Sequence, residues 1–127
     1  MALAKLLGVA ALALSASLSA QPALAAGDAE EGEKVFRKCK ACHVVSEEQN
    51  RVGPHLVGLF GREAGSLEGF RYSDALKEAD VVWNEETLAA FLADPRGYIP
   101  GNRMTFAGLR DEEDIQDVIA YLKAETQ

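Results

Sequence analysis

The chain is poor in the side chains that most often bridge, ligate or react. Its 127 residues include two cysteines, two histidines, two methionines and one tryptophan. Two cysteines and two histidines leave a four-ligand zinc site with nothing to spare. Basic charge is scarce as well: 13 Lys and Arg stand against 20 Asp and Glu, a net charge of −7. That balance argues against nucleic acid as a partner. No stretch alternates strongly between apolar and polar residues, so little sheet is expected. There is no internal repeat and no low-complexity tract, and the length predicts one domain.

The one long apolar run lies at the N-terminus. "MALAKLLGVAALALSASLSAQPALAAG" carries a single cation, Lys5, then an apolar run from Leu6 to about Ala16, and Ala23-Leu24-Ala25 fits an A-x-A cleavage site. This pattern predicts a secretory signal peptide over 1–25 and a mature domain over 26–127. The competing reading, an uncleaved membrane anchor, is weakened by the shortness of the run and by Ser15, Ser17 and Ser19 at its end. Cleavage removes one charge, Lys5, and leaves 12 basic against 20 acidic residues, net −8. Export places the protein in the periplasm of a Gram-negative bacterium. In such an oxidising compartment two close thiols tend to pair or to be otherwise occupied.

Three main helices are expected. The first spans about Asp28 to Cys39, with Asp28 as cap, Glu31 completing a capping-box variant, and Val35 and Phe36 on its apolar face. The second begins after Asn84, with Glu85 and Glu86 in its first turn and Trp83 and Leu88 as a hydrophobic staple, and stops at Asp94 before Pro95. The third starts at Asp111 and carries the stripe Ile115, Val118, Ile119 and Leu122. A short helix is expected from Ser73 to Ala79. Between them, 51–69 and 94–109 are long segments rich in Gly and Pro. Long irregular loops in a small domain call for something to wrap around, and a large apolar cofactor would serve.

Both cysteines lie in "CKACH", residues 39 to 43. Three chemistries use such a pair. Zinc would need two further ligands, yet only His43 and His55 exist, and the usual spacing between ligand pairs is absent. A dithiol redox pair belongs at a helix start after a strand, whereas this motif follows a helix. The order Cys-x-x-Cys-His is the attachment signature of c-type haem. Two thioethers need sulfurs on one side of a helical turn, and the next histidine then reaches the iron from the same face. A sixth iron ligand could come from Met104, the one methionine left once Met1 is removed with the leader, or from His55. Met104 sits in a loop stiffened by Pro95 and Pro100. His55 follows His43 by only twelve positions and stands directly behind Pro54, which favours the proximal side.

"GEKVFRKCKACH", "GPHLVGLFGREAG", "GFRYSDALK", "WNEETLAAFLADPRGYIPGNRMTFAG" and "VIAYLK" together resemble a class I cytochrome c, in order and over nearly the whole mature chain. The resemblance implies an all-α, class I cytochrome c fold: three main helices, a short helix and long loops wrapped around one covalent haem c. It implies Cys39 and Cys42 as thioether attachments, His43 as proximal and Met104 as distal iron ligand. It implies that the Pro54 carbonyl accepts the other His43 nitrogen's proton, and that Arg62, Tyr72 and Trp83 contact the propionates. Gly32 and Phe36 would pack on Val118 and Tyr121 where the first and last helices cross.

The function so implied is outer-sphere electron transfer by a monomeric carrier that is not an enzyme. Its donor would be a quinol–cytochrome c reductase and its acceptor an oxidase, a reductase or a photosynthetic centre. A haem-based gas sensor with a labile Met104 is the competing reading. Basic residues near the haem-bearing segments, Lys38, Lys40, Arg51, Arg96 and Arg103, would form a docking ring on an acidic body, with Lys38 and Arg103 the pair to reverse in a test. Three positions and one segment depart from the family. Phe91 replaces a tyrosine beside the thioether, Leu76 replaces an asparagine, and Asn102 replaces a threonine near a propionate. The segment from 94 to 109 holds no lysine, so none from this loop can replace Met104 at high pH.

Overall fold

Five helices joined by long loops make up the computed structural model, which describes residues 26–127; the expected leader at 1–25 lies outside the described residues. The first helix, α1, is Ala29–Phe36. The Asp28 carboxylate caps it, accepting from the backbone N–H groups of Glu30 and Glu31 at 2.8 and 3.2 Å. The return half of the expected capping box is not made, because Glu31 pairs with Lys34 at 2.6 Å instead. The helix is also shorter than expected. Beyond Phe36 the backbone continues as successive turns, with Cys39 N–H on Phe36 O at 2.8 Å and Cys42 N–H on Cys39 O at 3.1 Å.

Ser73 caps the four-residue α2, Asp74–Lys77, through Leu76 N–H at 3.1 Å. The capping of α3, Glu85–Ala93, is reciprocal: Asn84 Oδ1 accepts from Thr87 N–H and Thr87 Oγ1 accepts from Asn84 N–H, each at 2.9 Å. Trp83 and Leu88 on either side of that cap are both buried, as the staple requires. Asp94 ends α3 and at once caps α4, Pro95–Tyr98, accepting from Gly97 N–H at 3.0 Å. This helix lies in a segment expected to be irregular. Its signal was an aspartate followed by proline, a cap and a preformed first helical residue. The last helix, α5, is Glu112–Glu125, and its whole predicted stripe is buried.

The most extensive helix–helix contact is α1 against α5. It depends on Gly32, where a Cβ would lie 2.0 Å from Asp117 O and 2.8 Å from Tyr121 Cβ. Phe36 meets Tyr121 with ring centroids 5.2 Å apart, and Val118 is 1% exposed in the same core. Asp117, buried on α5, accepts from Asp28 N–H at 2.7 Å and so ties the cap of one helix to the middle of the other. Among the described residues the only sheet pairing is an isolated bridge, Glu63 with Val82. Trp83 N–H on Arg62 O at 2.9 Å and Ala64 N–H on Val81 O at 2.7 Å flank it. This short pairing makes neighbours of Arg62 and Trp83.

Candidate functional site

The turn after α1 carries the first part of the site. His43 N–H donates to Cys39 O at 3.0 Å, so the backbone completes one helical turn across the motif. Side chains three and four positions apart share a face on such a turn, which groups Cys39, Cys42 and His43. The cysteines are not bonded to one another. Burial pushes the Cys39 thiol up to about 11, with Lys38 opposing and Cys42 reinforcing the rise. A redox-active cysteine has its thiol pulled the other way, so the dithiol reading has no support here. Among the described residues no three His, Cys, Asp or Glu side chains cluster as a metal site would need.

The His43 ring is held from two directions. Its Nδ1 lies 2.7 Å from Pro54 O, so the neutral ring donates from Nδ1 and keeps Nε2 free. Burial lowers its pKa while the Pro54 bond opposes the fall, and the result is the neutral imidazole that ligates metals. Gly53 lies flat against the ring: a Cβ there would stand 2.4 Å from His43 Cε1. Gly53 N–H also donates to Cys42 O at 3.0 Å, closing the loop back on the motif.

His55 is buried, and its backbone N–H donates to Asn50 Oδ1 at 3.0 Å. Its Nδ1 finds no protein partner among the described residues.

Arg62, Tyr72 and Trp83 come together. Arg62 donates to His55 O at 2.9 Å and to Val57 O, which uses two of its five N–H groups. Burial lowers the Arg62 pKa and raises that of the Tyr72 phenol, and each group opposes the other's shift. Trp83 is buried with its ring 5.1 Å from that of Phe91. A cation beside a phenol, with a buried indole on the strand-like segment next to Arg62, suits a carboxylate such as a propionate.

Met104 and Cys39 both pack, half-buried, against the main core, together with Leu56, Phe60, Leu76, Leu92 and Phe106. A partly open shell of large apolar side chains is what a flat apolar group would cover, and the residues present therefore fit a haem.

Two positions differ from expectation. The Asn102 amide does not stand free for a propionate; both donors are used inside the loop, on Pro95 O at 2.7 Å and Ile99 O at 2.9 Å. Arg103 is engaged too, donating to Tyr72 O at 2.7 Å. Phe91 packs between Trp83 and Tyr98 and has no hydroxyl to offer. A surface cleft of about 550 Å³, lined in part by Ala26, Glu85, Ile119 and Lys123, touches none of these residues.

Comparison with known proteins agrees with this geometry. The family described as Cytochrome c matches residues 29–125. The chain is 49% identical over 100 residues to cytochrome c2 of Blastochloris viridis, covering 78% of this chain and 79% of that protein. It is 53% identical over 97 residues to cytochrome c-550 of Ancylobacter novellus, covering 73% and 91%. The solved structure of cytochrome cH from Methylobacterium extorquens superposes with a TM-score of 0.73 at 46% identity, covering 77% of this chain and 99% of that one.

Proposed function

We propose, from the premise that the chain belongs to the cytochrome c family, that it is an exported one-electron carrier whose haem c is ligated by His43 and Met104. The cofactor of this all-α family is haem c, and electron transport is its common activity. When bound, the haem supplies a one-electron couple at its iron, and the rest is the work of the protein.

Cys39 and Cys42 hold the group through thioethers. His43, fixed by Pro54, and Met104 would ligate the iron, which would leave no site for a substrate. His/Met ligation and burial raise the potential. Arg62 would balance propionate charge, while Tyr72 and Trp83 would donate hydrogen bonds to it. The observation that carries the reading is the 2.7 Å contact between His43 Nδ1 and Pro54 O, since it sets the tautomer a proximal ligand needs.

Docking follows from the surface beside the motif. Gly53's bond to Cys42 O holds 51–53 next to the turn that bears Lys38 and Lys40. There Val52 is 80% exposed, and Lys38, Lys40 and Arg51 are exposed around it. An apolar centre with a basic rim suits a weak, fast encounter with an acidic redox protein. We assign the donor to the quinol–cytochrome c reductase class and the acceptor to an oxidase, reductase or photosynthetic centre. The carrier acts as a monomer in the periplasm, after removal of 1–25.

An optical spectrum with redox titration of the purified mature protein tests the reading. The expected outcome is a reversible one-electron couple, a thioether–iron charge-transfer band in the ferric form, and no carbon monoxide binding by the native ferrous form. Ready carbon monoxide binding would instead identify a gas sensor with a labile Met104.

A further inference from the structure

We propose that Asn102 and Arg103 form a two-ended latch on the loop that carries Met104, slowing replacement of the thioether by any external ligand. The inference deepens the reading above and rests on Met104 being an iron ligand.

The Asn102 side chain makes three hydrogen bonds. Its Nδ2 donates to Pro95 O at 2.7 Å and to Ile99 O at 2.9 Å, and its Oδ1 accepts from Met104 N–H at 3.0 Å. Both donors of the amide are thereby used. The two carbonyls belong to firm positions: Pro95 and Ile99 are buried and bonded to each other, Ile99 N–H on Pro95 O at 3.1 Å. One side chain thus refers the backbone of Met104 to the two ends of α4.

Arg103 supplies the other end. Its Nη2 donates to Tyr72 O at 2.7 Å, a residue 31 positions earlier and itself buried. The residue preceding Met104 is therefore tied to a second part of the fold. A guanidinium keeps its charge at any accessible pH, and its bond to a carbonyl is stronger than one between neutral groups. For the thioether to swing away with its backbone, the Oδ1 bond and the Tyr72 bond must both break. Each is worth roughly two- to tenfold in an opening equilibrium.

These are positioning residues, and the test separates them from a general structural role. Imidazole binding to the ferric mature holoprotein is followed by stopped flow, because imidazole enters only when Met104 leaves. Asn102→Ala and Arg103→Gln should each bind imidazole about fivefold faster or more, and the double variant faster still. The charge-transfer band without imidazole should persist in all three. Asn84→Ala, which removes the cap at the end of α3 opposite the one leading into this loop, is the control. It should lower the thermal midpoint by circular dichroism yet leave the imidazole rate unchanged. Rates within twofold of wild type in both single variants, or an equal acceleration in Asn84→Ala, would overturn the latch alone. Absence of the band from the wild type, or its survival in Met104→Ala, would remove Met104 as ligand and the latch with it.

Discussion

Tyr72 is the residue whose ionisation links stability to pH most directly. Its phenol pKa is raised by burial, with Arg62 pulling it back. A raised phenol keeps its stabilising contribution below the ordinary value of about 10 and loses it as pH climbs through the folded value. The mature protein should therefore lose stability above about pH 10, and Tyr72→Phe should lose less over the same range. Guanidinium midpoints across the alkaline range measure it, and an identical slope in the variant would contradict the assignment. At this scale the sequence singled out Cys39, Cys42, His43 and Met104 as candidates by their rarity and order. It missed Gly53 and Asp117. A glycine laid on an imidazole by a loop that folds back, and a carboxylate 89 positions from the N–H it accepts, are contacts that no helical periodicity announces. The role of Asn102 was misplaced for the same reason, since its acceptors exist only once α4 has formed.

Most helix starts were legible where a cap was local, the Asp94 cap of α4 being passed over. Ser73, Asn84 and Asp111 each bond a backbone N–H two or three residues ahead, and a short sequence window contains the whole interaction. The end of α1 was not legible, because the turns through Cys39 and Cys42 are set by what the loop 51–53 packs on. The crossing of α1 on α5 gives the sharpest prediction for an element. A methyl group at position 32 would meet the α5 backbone, not a flexible side-chain tip. Gly32→Ala should cost roughly 1–3 kcal/mol in chemical denaturation of the mature holoprotein. A change under about 0.5 kcal/mol would mean that the helices separate more easily than their contact implies.

Charge acts over the whole molecule. The acidic residues gather at the starts of α1, α3 and α5, where the helix dipoles favour them. Among the described residues Lys34, Lys77 and Lys123 are consumed in ion pairs, while Lys38 and Lys40 are not. Reversing Lys38 and Lys40 to Glu should slow electron transfer with an acidic partner and flatten its dependence on salt. An unchanged salt slope would remove the docking assignment. Arg103, first grouped with these lysines, is a poor choice for that test, because its guanidinium is bonded to Tyr72 and its loss would disturb the distal loop as well.

The sequence by itself determined the helical class, four of the caps (Asp28, Ser73, Asn84 and Asp111), the buried stripe of α5 and the chemistry of the rare residues. All of these depend on spacing along a single element or on composition, which folding does not alter. Only the tertiary structure decided which side chains answer one another. Asp117 takes the Asp28 N–H, Gly53 lies on the His43 ring, and Asn102 and Arg103 close on Pro95, Ile99 and Tyr72 instead of standing free. Hydrogen bonds and contacts that cross from one loop or element to another leave no periodic trace in the chain. They follow from where the loops must run once α1 and α5 have crossed.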